Sequence, residues 1–487
     1  MASISTLLET IKKNNFKNAL KINLDMIVLA YEYAEEAHKG QKRMSGDPYI
    51  NHPLNTAITL AKIKADMPTI LAGLLHDVPE DTEKTLSDIK KNFGSEVAFL
   101  VKGITKLSKV KYRGMDRYIE NLKKMFIAAA QDSRVMIIKF ADRLHNLKTI
   151  KYLPKHKQKR IIEETFKIYA PIAGVLGVWH LRWQLEDLCF EFLDPKNFNK
   201  IKEKYESGQQ GERDALIKKI NKNVAEEAKK NGIKFYIEGR FKHIYSVWLK
   251  MQNKNKKFNE IYDVFAMRII VNSIPDCYKM LGIIHTLYYP KKYRFKDFVS
   301  MPKPNGYRSL HTTVFGPEGK LIEFQIRTQQ MHEEALYGVA AHWRYKDTIS
   351  AKSSWIDDIL KIQKDSSDNK DFMKKLEFNI FSDRIFVFTP RGDVIDLPKR
   401  ASAVDFAYHV HSEIGNRCVG VIINEKIEPV STILKSGDLV EIIIDKNRKG
   451  PSIDWLKFVK TQSAKEHIKR HAKRQGILSS IMSRIKQ

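Results

Sequence analysis

Cysteine is nearly absent: Cys189, Cys277 and Cys418 are the only three in 487 residues, far apart and without a CxxC pair. That spacing excludes a disulfide framework and a zinc ribbon, and it fits a reducing compartment such as the cytoplasm. Long apolar runs are missing as well. No stretch approaches the roughly 18 apolar residues of a membrane span, and the opening "MASISTLLETIKKNNF" has no uninterrupted apolar core of a secretory signal. A soluble, unexported protein is expected. Acidic residues are in short supply, since 57 Asp and Glu against 85 Lys and Arg leave a formal charge of +28 and a pI near 9.6. Such an excess attracts polyanions such as nucleotides or RNA, although a Lys-rich proteome accounts for it equally well. With no evident repeat and 43% hydrophobic content, 487 residues imply two to four folded domains.

From Leu24 to about Leu193 the apolar spacing is helical, interrupted by turns at "SGDPYINHP", "KADMP" and "KYLPKHK". An all-α domain over 1–198 is expected, followed by charged connecting helices over 199–232. Beyond Gly232 the β-rich runs "IKFYIEG", "DVFAMRIIV", "SLHTTVFG" and "KLIEFQIRT" alternate with helical stretches, which predicts an α/β or α+β domain over 233–346, the former of a nucleotidyltransferase-like kind. The Ser-, Asp- and Lys-containing stretch 347–380 reads as a linker. Short strands around one helix from Ala403 to Ile414 predict a small β-grasp-like module over 381–446, and a basic helical region begins at 447.

One constellation lies in the helical domain: His52 in "YINHP", His76 and Asp77 in "LLHDVPEDT", and Asp142 in "KFADRLHN". Two imidazoles and two carboxylates make a mixed nitrogen and oxygen donor set suited to Mn²⁺ or a similar divalent ion, which can activate water near neutral pH. The bland alternative for His76 is a helix-end histidine bonded to a backbone carbonyl. Pro79 lacks an N–H and disfavours a helical Val78, so the helix is expected to end or kink just after the His76–Asp77 pair. Together "GQKRMSGDPYINHP", "LLHDVPEDT" and "KFADRLHNLKT" resemble the HD-type hydrolase domain of the long RelA/SpoT homologues, which remove the 3′-pyrophosphate of (p)ppGpp. The resemblance implies that His52, His76, Asp77 and Asp142 hold Mn²⁺ and that Glu80 and Asp81 orient water and handle protons. It also implies nucleotide contacts from Arg43, Ser45 and Asn146. One departure stands out: "YAPIAGVLG" has Gly174 and Val175 where the family commonly has a polar and a basic residue.

The second constellation is denser: "GRFKHIYS", "IYDVFAMR", "YRFKDFVSMPKPNGYRSLHT" and "IEFQIRT". Moving a diphosphate between nucleotides requires cations on the triphosphate, carboxylates for Mg²⁺ and an aromatic platform for a base. Arg240, Lys242 and Arg268 can supply charge, Asp263 and Glu323 can share an ion, and Tyr307 can stack on a base. These stretches resemble the synthetase domain of the same family, which transfers the β,γ-pyrophosphate of ATP to the 3′-OH of GDP or GTP. By that resemblance Asp263 and Glu323 serve Mg²⁺, with Glu323 the proton acceptor. Lys303, Asn305, Tyr307 and His311 form the guanine-nucleotide site, and His243, Lys296 and Gln325 also bind nucleotide. "RFKD" (Arg294–Asp297) matches the basic loop of bifunctional members.

The stretch from Arg384 to Ile443 resembles a TGS domain, in which His411 corresponds to a histidine that meets uncharged tRNA on the ribosome. A bifunctional maker and breaker of (p)ppGpp is therefore expected, in a bacterial cytoplasm, with no membrane partner. Its two activities should exclude one another through the helices between about Asp194 and Gly232. The alternatives are a synthetase-only member, a tRNA or ribosome binder with vestigial catalysis, and a nuclease of the wider HD superfamily, which the synthetase motifs disfavour.

Overall fold

A computed structural model of the chain describes residues 3–14, 23–105, 114–206, 210–258, 265–302, 306–338, 362–364, 384–390, 393–435, 437–448 and 450–474, with isolated positions between 366 and 375. The chain divides into two compact units, 1–375 and 376–487.

The first unit opens with helices α1 (Ile4–Asn14), α2 (Leu24–Ala37), α3 (Asn51–Lys62), α4 (Met67–Leu75), α5 (Val78–Asp81), α6 (Leu86–Phe93), α7 (Ser95–Ile104), α8 (Gly114–Gln131), α9 (Arg134–Lys148), α10 (Lys155–Glu164), α11 (Ala170–Val175) and α12 (Trp179–Leu193). Their starts are written locally. Asp66 caps α4 by accepting from Thr69 N, and Thr85 with Asp88 forms a capping box on α6. The core sits between α3, α4, α7 and α9, where Leu54, Leu60, Leu71, Leu74, Val101 and Ile138 are buried. The helices touch closely, since a Cβ on Gly73 would lie 2.5 Å from Leu60 Cδ1.

α4 ends at Leu75, and His76 and Asp77 form the turn before α5. The break therefore falls at the pair rather than just after it, and Val78 is helical. Pro79 sits in the first turn of α5, where a missing N–H leaves no hydrogen bond unmade. Gly174 in α11 leaves space that the Arg182 guanidinium fills, so that a Cβ there would meet Arg182 Nη1 at 2.4 Å.

The connecting stretch resolves into α13 (Pro195–Glu206) and α14 (Gln210–Lys230). α14 is a layer of the next domain rather than a free connector, because Ile220, Val224 and Ala228, at helical spacing, bury against its sheet. That sheet comprises β1 (Phe235–Phe241), β2 (Phe265–Val271), β3 (Tyr289–Pro290), β4 (Lys296–Asp297), β5 (Leu310–Phe315) and β6 (Leu321–Thr328). Its order is β1-β2-β6-β5-β3, with β4 also paired to β5. β2 and β6 are parallel and the other pairs antiparallel. Helices α15 (Ile244–Lys254), α16 (Ile274–Leu287) and α17 (Gln329–Tyr337) complete it. Met267, Ile269, Ile322, Phe324 and Ile326 point toward α14 and α16. Period-2 alternation leaves Arg268, Glu323, Gln325 and Arg327 on the opposite face.

Contacts between the helical half and the sheet half run through α12 and through α13, the first of the expected coupling helices, which packs on α15. Asp187 accepts the amide N–H groups of Ile244 (3.4 Å) and Tyr245 (2.9 Å), capping α15 from another domain. The Trp183 and His243 rings stack in parallel with centroids 4.1 Å apart. Lys64 Nζ pairs with Glu333 Oε1 on α17 at 2.8 Å. At Gly338, with φ at +54°, a Cβ would fall 2.2 Å from the carbonyl oxygen of Leu176.

In the second unit β7 (Arg384–Phe388) and β8 (Val394–Pro398) form a hairpin, and β9 (Cys418–Ile423) lies between β10 (Lys426–Glu428) and β11 (Val440–Ile444). The single helix expected from Ala403 to Ile414 is two, α18 (Ala403–Val410) and α19 (Ser412–Arg417), with His411 extended between them. Buried Asp405 accepts from Lys460 N and Thr461 N, which fastens the following helix α20 (Gln462–Arg474) to the module. No helix among the described residues is long and apolar enough to cross a membrane.

Candidate functional site

The turn between α4 and α5, the start of α3 and the middle of α9 converge. One ligand atom each from His52, His76 and Asp142 lies within 4.8 Å of the others, and all three residues are buried. His52 Nε2 stands 3.2 Å from Asp142 Oδ1 and 3.4 Å from Asp77 Oδ2, and His76 Nε2 stands 3.3 Å from Asp77 Oδ1. The four residues read from the sequence are thus neighbours.

The donor set fits a divalent metal by its protonation. His76 Nδ1 donates to Gly73 O at 2.8 Å, which leaves the lone pair on Nε2, a buried atom with no hydrogen-bond partner. The carbonyl contact anticipated as the bland alternative is present, and it is what orients the ligand nitrogen. Burial lowers the pKa of His52, and burial with the neighbouring His52 pushes His145 down to about 3. His52 Nδ1 and His145 Nδ1 are 2.8 Å apart. Burial pushes Asp142 up, but Lys139 and His52 overcome it and hold that carboxyl well below the ordinary range. Neutral imidazoles beside ionised carboxylates are what a divalent cation requires.

Around this centre Asn146 Nδ2 donates to Asp142 Oδ1 (2.6 Å), and Arg43 Nη2 donates to Asn146 Oδ1 (3.2 Å). Arg43 and Asn146 are therefore brought to the ligands, whereas Ser45 is engaged locally with Asp47 Oδ2 at 2.7 Å. Glu80 and Asp81 share α5, and Asp81 Oδ2 accepts from Tyr49 Oη at 2.7 Å. Sequence reading missed Tyr49, Lys139 and His145. Lys139 and His145, each three residues from Asp142 on the same helix face, carried the signal.

On the sheet face opposite α14 and α16 the register sets Arg268 opposite both Gln325 and Glu238, and His311 opposite Gln325 and Lys296. Tyr307 Oη lies 2.8 Å from His311 Nε2, and His311 Nδ1 lies 2.9 Å from Glu323 Oε1. Tyr307 and His311, expected at the guanine nucleotide, and Glu323, expected at the metal, form one hydrogen-bonded line. Arg240 Nη2 is 3.5 Å from His243 Nε2, and the Lys242 carbonyl accepts from Tyr205 Oη at 2.6 Å. Burial, then Arg240 and His180, push His243 down to about 3. Asp263, Lys303 and Asn305 lie outside the described residues.

Arg327 was also missed. It is 1% exposed and its Nε has no hydrogen-bond partner, while one Nη sits 3.0 Å from His332 Nδ1. Burial, with Arg268 and Arg240 adding to it and Tyr307 opposing, lowers it to about 9, so it remains protonated at neutral pH. Arg268 pairs with Glu238, but among the described residues no ion pair gives Arg327 a carboxylate. A desolvated cluster of this sign is a receptor for an anion. In the second unit His411 caps α19, accepting from Glu413 N at 3.2 Å, and is exposed.

Residues 30–179 match the family described as "HD domain", 239–350 the "Region found in RelA / SpoT proteins" and 385–444 the "TGS domain". A guanosine-3′,5′-bis(diphosphate) 3′-pyrophosphohydrolase of Aquifex aeolicus is 45% identical over 92% of the chain and 64% of its own length. A GTP pyrophosphokinase of Myxococcus xanthus is 43% identical over 93% of the chain and 61% of its own. The bifunctional (p)ppGpp synthase/hydrolase SpoT of Escherichia coli is 42% identical over 90% of the chain and 64% of its own. The chain thus spans somewhat less than two thirds of the length of these relatives. With three domain families matched in order and such relatives aligned along nearly its whole length, the chain belongs to the RelA/SpoT family.

Proposed function

We propose that the chain is a bifunctional alarmone enzyme, with a hydrolase domain over 1–198, a synthetase domain over 233–346 and a TGS module over 381–446. The observation that carries the hydrolase half is the buried cluster of His52, His76 and Asp142 beside Asp77, with burial lowering the pKa of His52 and Nε2 of His76 left without a hydrogen bond. These four residues would hold Mn²⁺, which supplies Lewis acidity for cleaving the 3′-pyrophosphate of (p)ppGpp. The chain's own part is to place Arg43 and Asn146 against the nucleotide and to take and return a proton at Asp81, with Glu80 beside it.

For synthesis, Arg240, Lys242, His243, Arg268 and Lys296 bind the polyphosphates and bases of ATP and of GDP or GTP. Lys303, Asn305, Tyr307, His311 and Gln325 seat the acceptor nucleotide. Asp263 and Glu323 would hold Mg²⁺, and Glu323 takes the proton of the attacking 3′-OH while His311 orients it. Ribosome and uncharged tRNA are partners proposed for the TGS module, with His411 as the contact, and the cytoplasm is the compartment proposed.

The test is to incubate the purified chain with Mn²⁺ and ppGpp, and separately with Mg²⁺, ATP and GDP, and to resolve the nucleotides. Pyrophosphate release in the first and ppGpp in the second are expected. Asp77→Ala should abolish only hydrolysis and Asp263→Ala only synthesis. No release from ppGpp in Mn²⁺ would sink the hydrolase half.

A further inference from the structure

The segment between α2 and α3 closes on the acid/base turn from two sides. Gln41 Nε2 donates to the Asp81 carbonyl at 2.8 Å, while its Oε1 lies 2.9 Å from His38 Nδ1. Tyr49 N donates to Gln41 O at 3.1 Å, which ties the two ends of the segment together. Tyr49 Oη then reaches two carboxylates, Asp81 Oδ2 at 2.7 Å and Asp77 Oδ2 at 3.1 Å. Its ring is fixed from behind, stacked on His38 with centroids 4.6 Å apart and with the Arg43 guanidinium carbon 5.6 Å from its own. Backbone and side chain of one residue, Asp81, are thus gripped by one short segment.

The Tyr49 hydroxyl has a single proton to give. The shorter bond sends that proton to Asp81. Hydrogen bonds to an ionised carboxylate are the strong kind, and they select one rotamer of a short side chain. The same hydroxyl reaches Asp77, so it bridges the two carboxylates and fixes Asp81 relative to Asp77.

From this geometry we propose that Tyr49 is a positioning residue for hydrolysis: its hydroxyl locks the Asp81 carboxylate in its working orientation beside Asp77, and Gln41 fixes the backbone beneath. The inference rests on the reading of Asp81 as the proton-handling group. On this proposal Tyr49 acts through Asp81, its shorter contact, so its loss should appear in turnover and not in binding.

Tyr49→Phe keeps the stacked ring and removes only the hydroxyl. The expected result is a drop in kcat for ppGpp hydrolysis of about 10–100-fold, the range for groups that orient a catalytic residue, with KM and calorimetric Mn²⁺ affinity unchanged and synthesis unaffected. A cycle with Asp81→Asn decides the route. If Tyr49 works only through Asp81, adding Tyr49→Phe to Asp81→Asn lowers kcat no further. Additive losses, a KM rise matching the kcat loss or a weakened Mn²⁺ affinity in Tyr49→Phe would each overturn the proposal. Asp81→Asn hydrolysing ppGpp at full rate would instead overturn the reading of Asp81 on which it stands.

Discussion

The two sites treat charge in opposite ways. In the helical domain the buried Lys139 and Asp142 charges are paired within the protein, Lys139 Nζ lying 2.7 Å from Asp142 Oδ2, and burial lowers the pKa of His52 and His145. On the sheet face, Arg240, Arg268 and Arg327 crowd together, and among the described residues the ion pair of Glu238 is with Arg268. A small cation can be received by groups already ordered among themselves, because ligand lone pairs and a neighbouring ammonium coexist at short range. A polyphosphate is received by positive charge left over, which the fold must support without it. The helical site should therefore be stabilising or neutral to the fold, and the sheet site a burden on it.

The sharpest way to break this contrast is to remove one carboxylate from each site. Asp142→Ala strands Lys139, which is 8% exposed, as a buried unpaired cation. A loss of about 3–5 kcal/mol in urea unfolding is expected, together with loss of hydrolysis. Glu323→Gln leaves its partner His311 able to be neutral and removes one of the two carboxylates, Glu238 and Glu323, that act on Arg240. Its unfolding midpoint should barely move while synthesis falls about 10²–10⁴-fold and hydrolysis persists. Equal stability losses in the two variants would show that the sites are not built differently.

Arg327→Met sharpens the same contrast with the opposite sign. Replacing a buried cation that lacks a carboxylate by an apolar side chain of similar length should leave stability unchanged or raise it by about 1–2 kcal/mol. Synthesis should weaken through the KM for ATP, by about tenfold. Lys139→Met, its counterpart, should destabilise, because Asp142 loses the charge that keeps it ionised. If Arg327→Met unfolds more easily than the parent, the guanidinium is serving the fold and the surplus charge is not reserved for an anion.

Much of this was legible before any coordinates. Helical spacing from Leu24 to Leu193 and the alternation in "KLIEFQIRT" are local signals, and so is the cluster of His52, His76, Asp77 and Asp142, whose flanking turns are written in the sequence. Long-range relations were not legible. Nothing in "GDPY" says that the phenol meets Asp81, because the contact depends on how α3 and α5 pack. Charged α14 reads as a connector, since its buried stripe of Ile220, Val224 and Ala228 is narrow. Arg327 falls in strand alternation and looks like an ordinary solvated cation until the face it lies on is covered. The role of α12 in joining the halves was hidden for the same reason: "LRWQLEDL" is an unremarkable helix until Trp183 and Asp187 find His243 and α15.

Asp187 offers the gentlest probe, because it joins the two differently charged halves. Burial raises its pKa from 3.8 to about 6, against the opposing hydrogen bonds from Tyr245 N and Ile244 N. Between those two values the folded state holds more protons than the unfolded one, so stability falls as pH rises. The contribution of Asp187 is therefore fully present below about pH 4 and is lost as pH passes through about 6. Asp187→Asn does not titrate and supplies the reference that cancels the other carboxylates. The unfolding free energy of the parent minus that of Asp187→Asn should decline by roughly 2 kcal/mol from pH 4 to 7. A difference that instead grows with pH would mean that the backbone amides of α15 win over burial, making the cap an attraction between the halves at neutral pH.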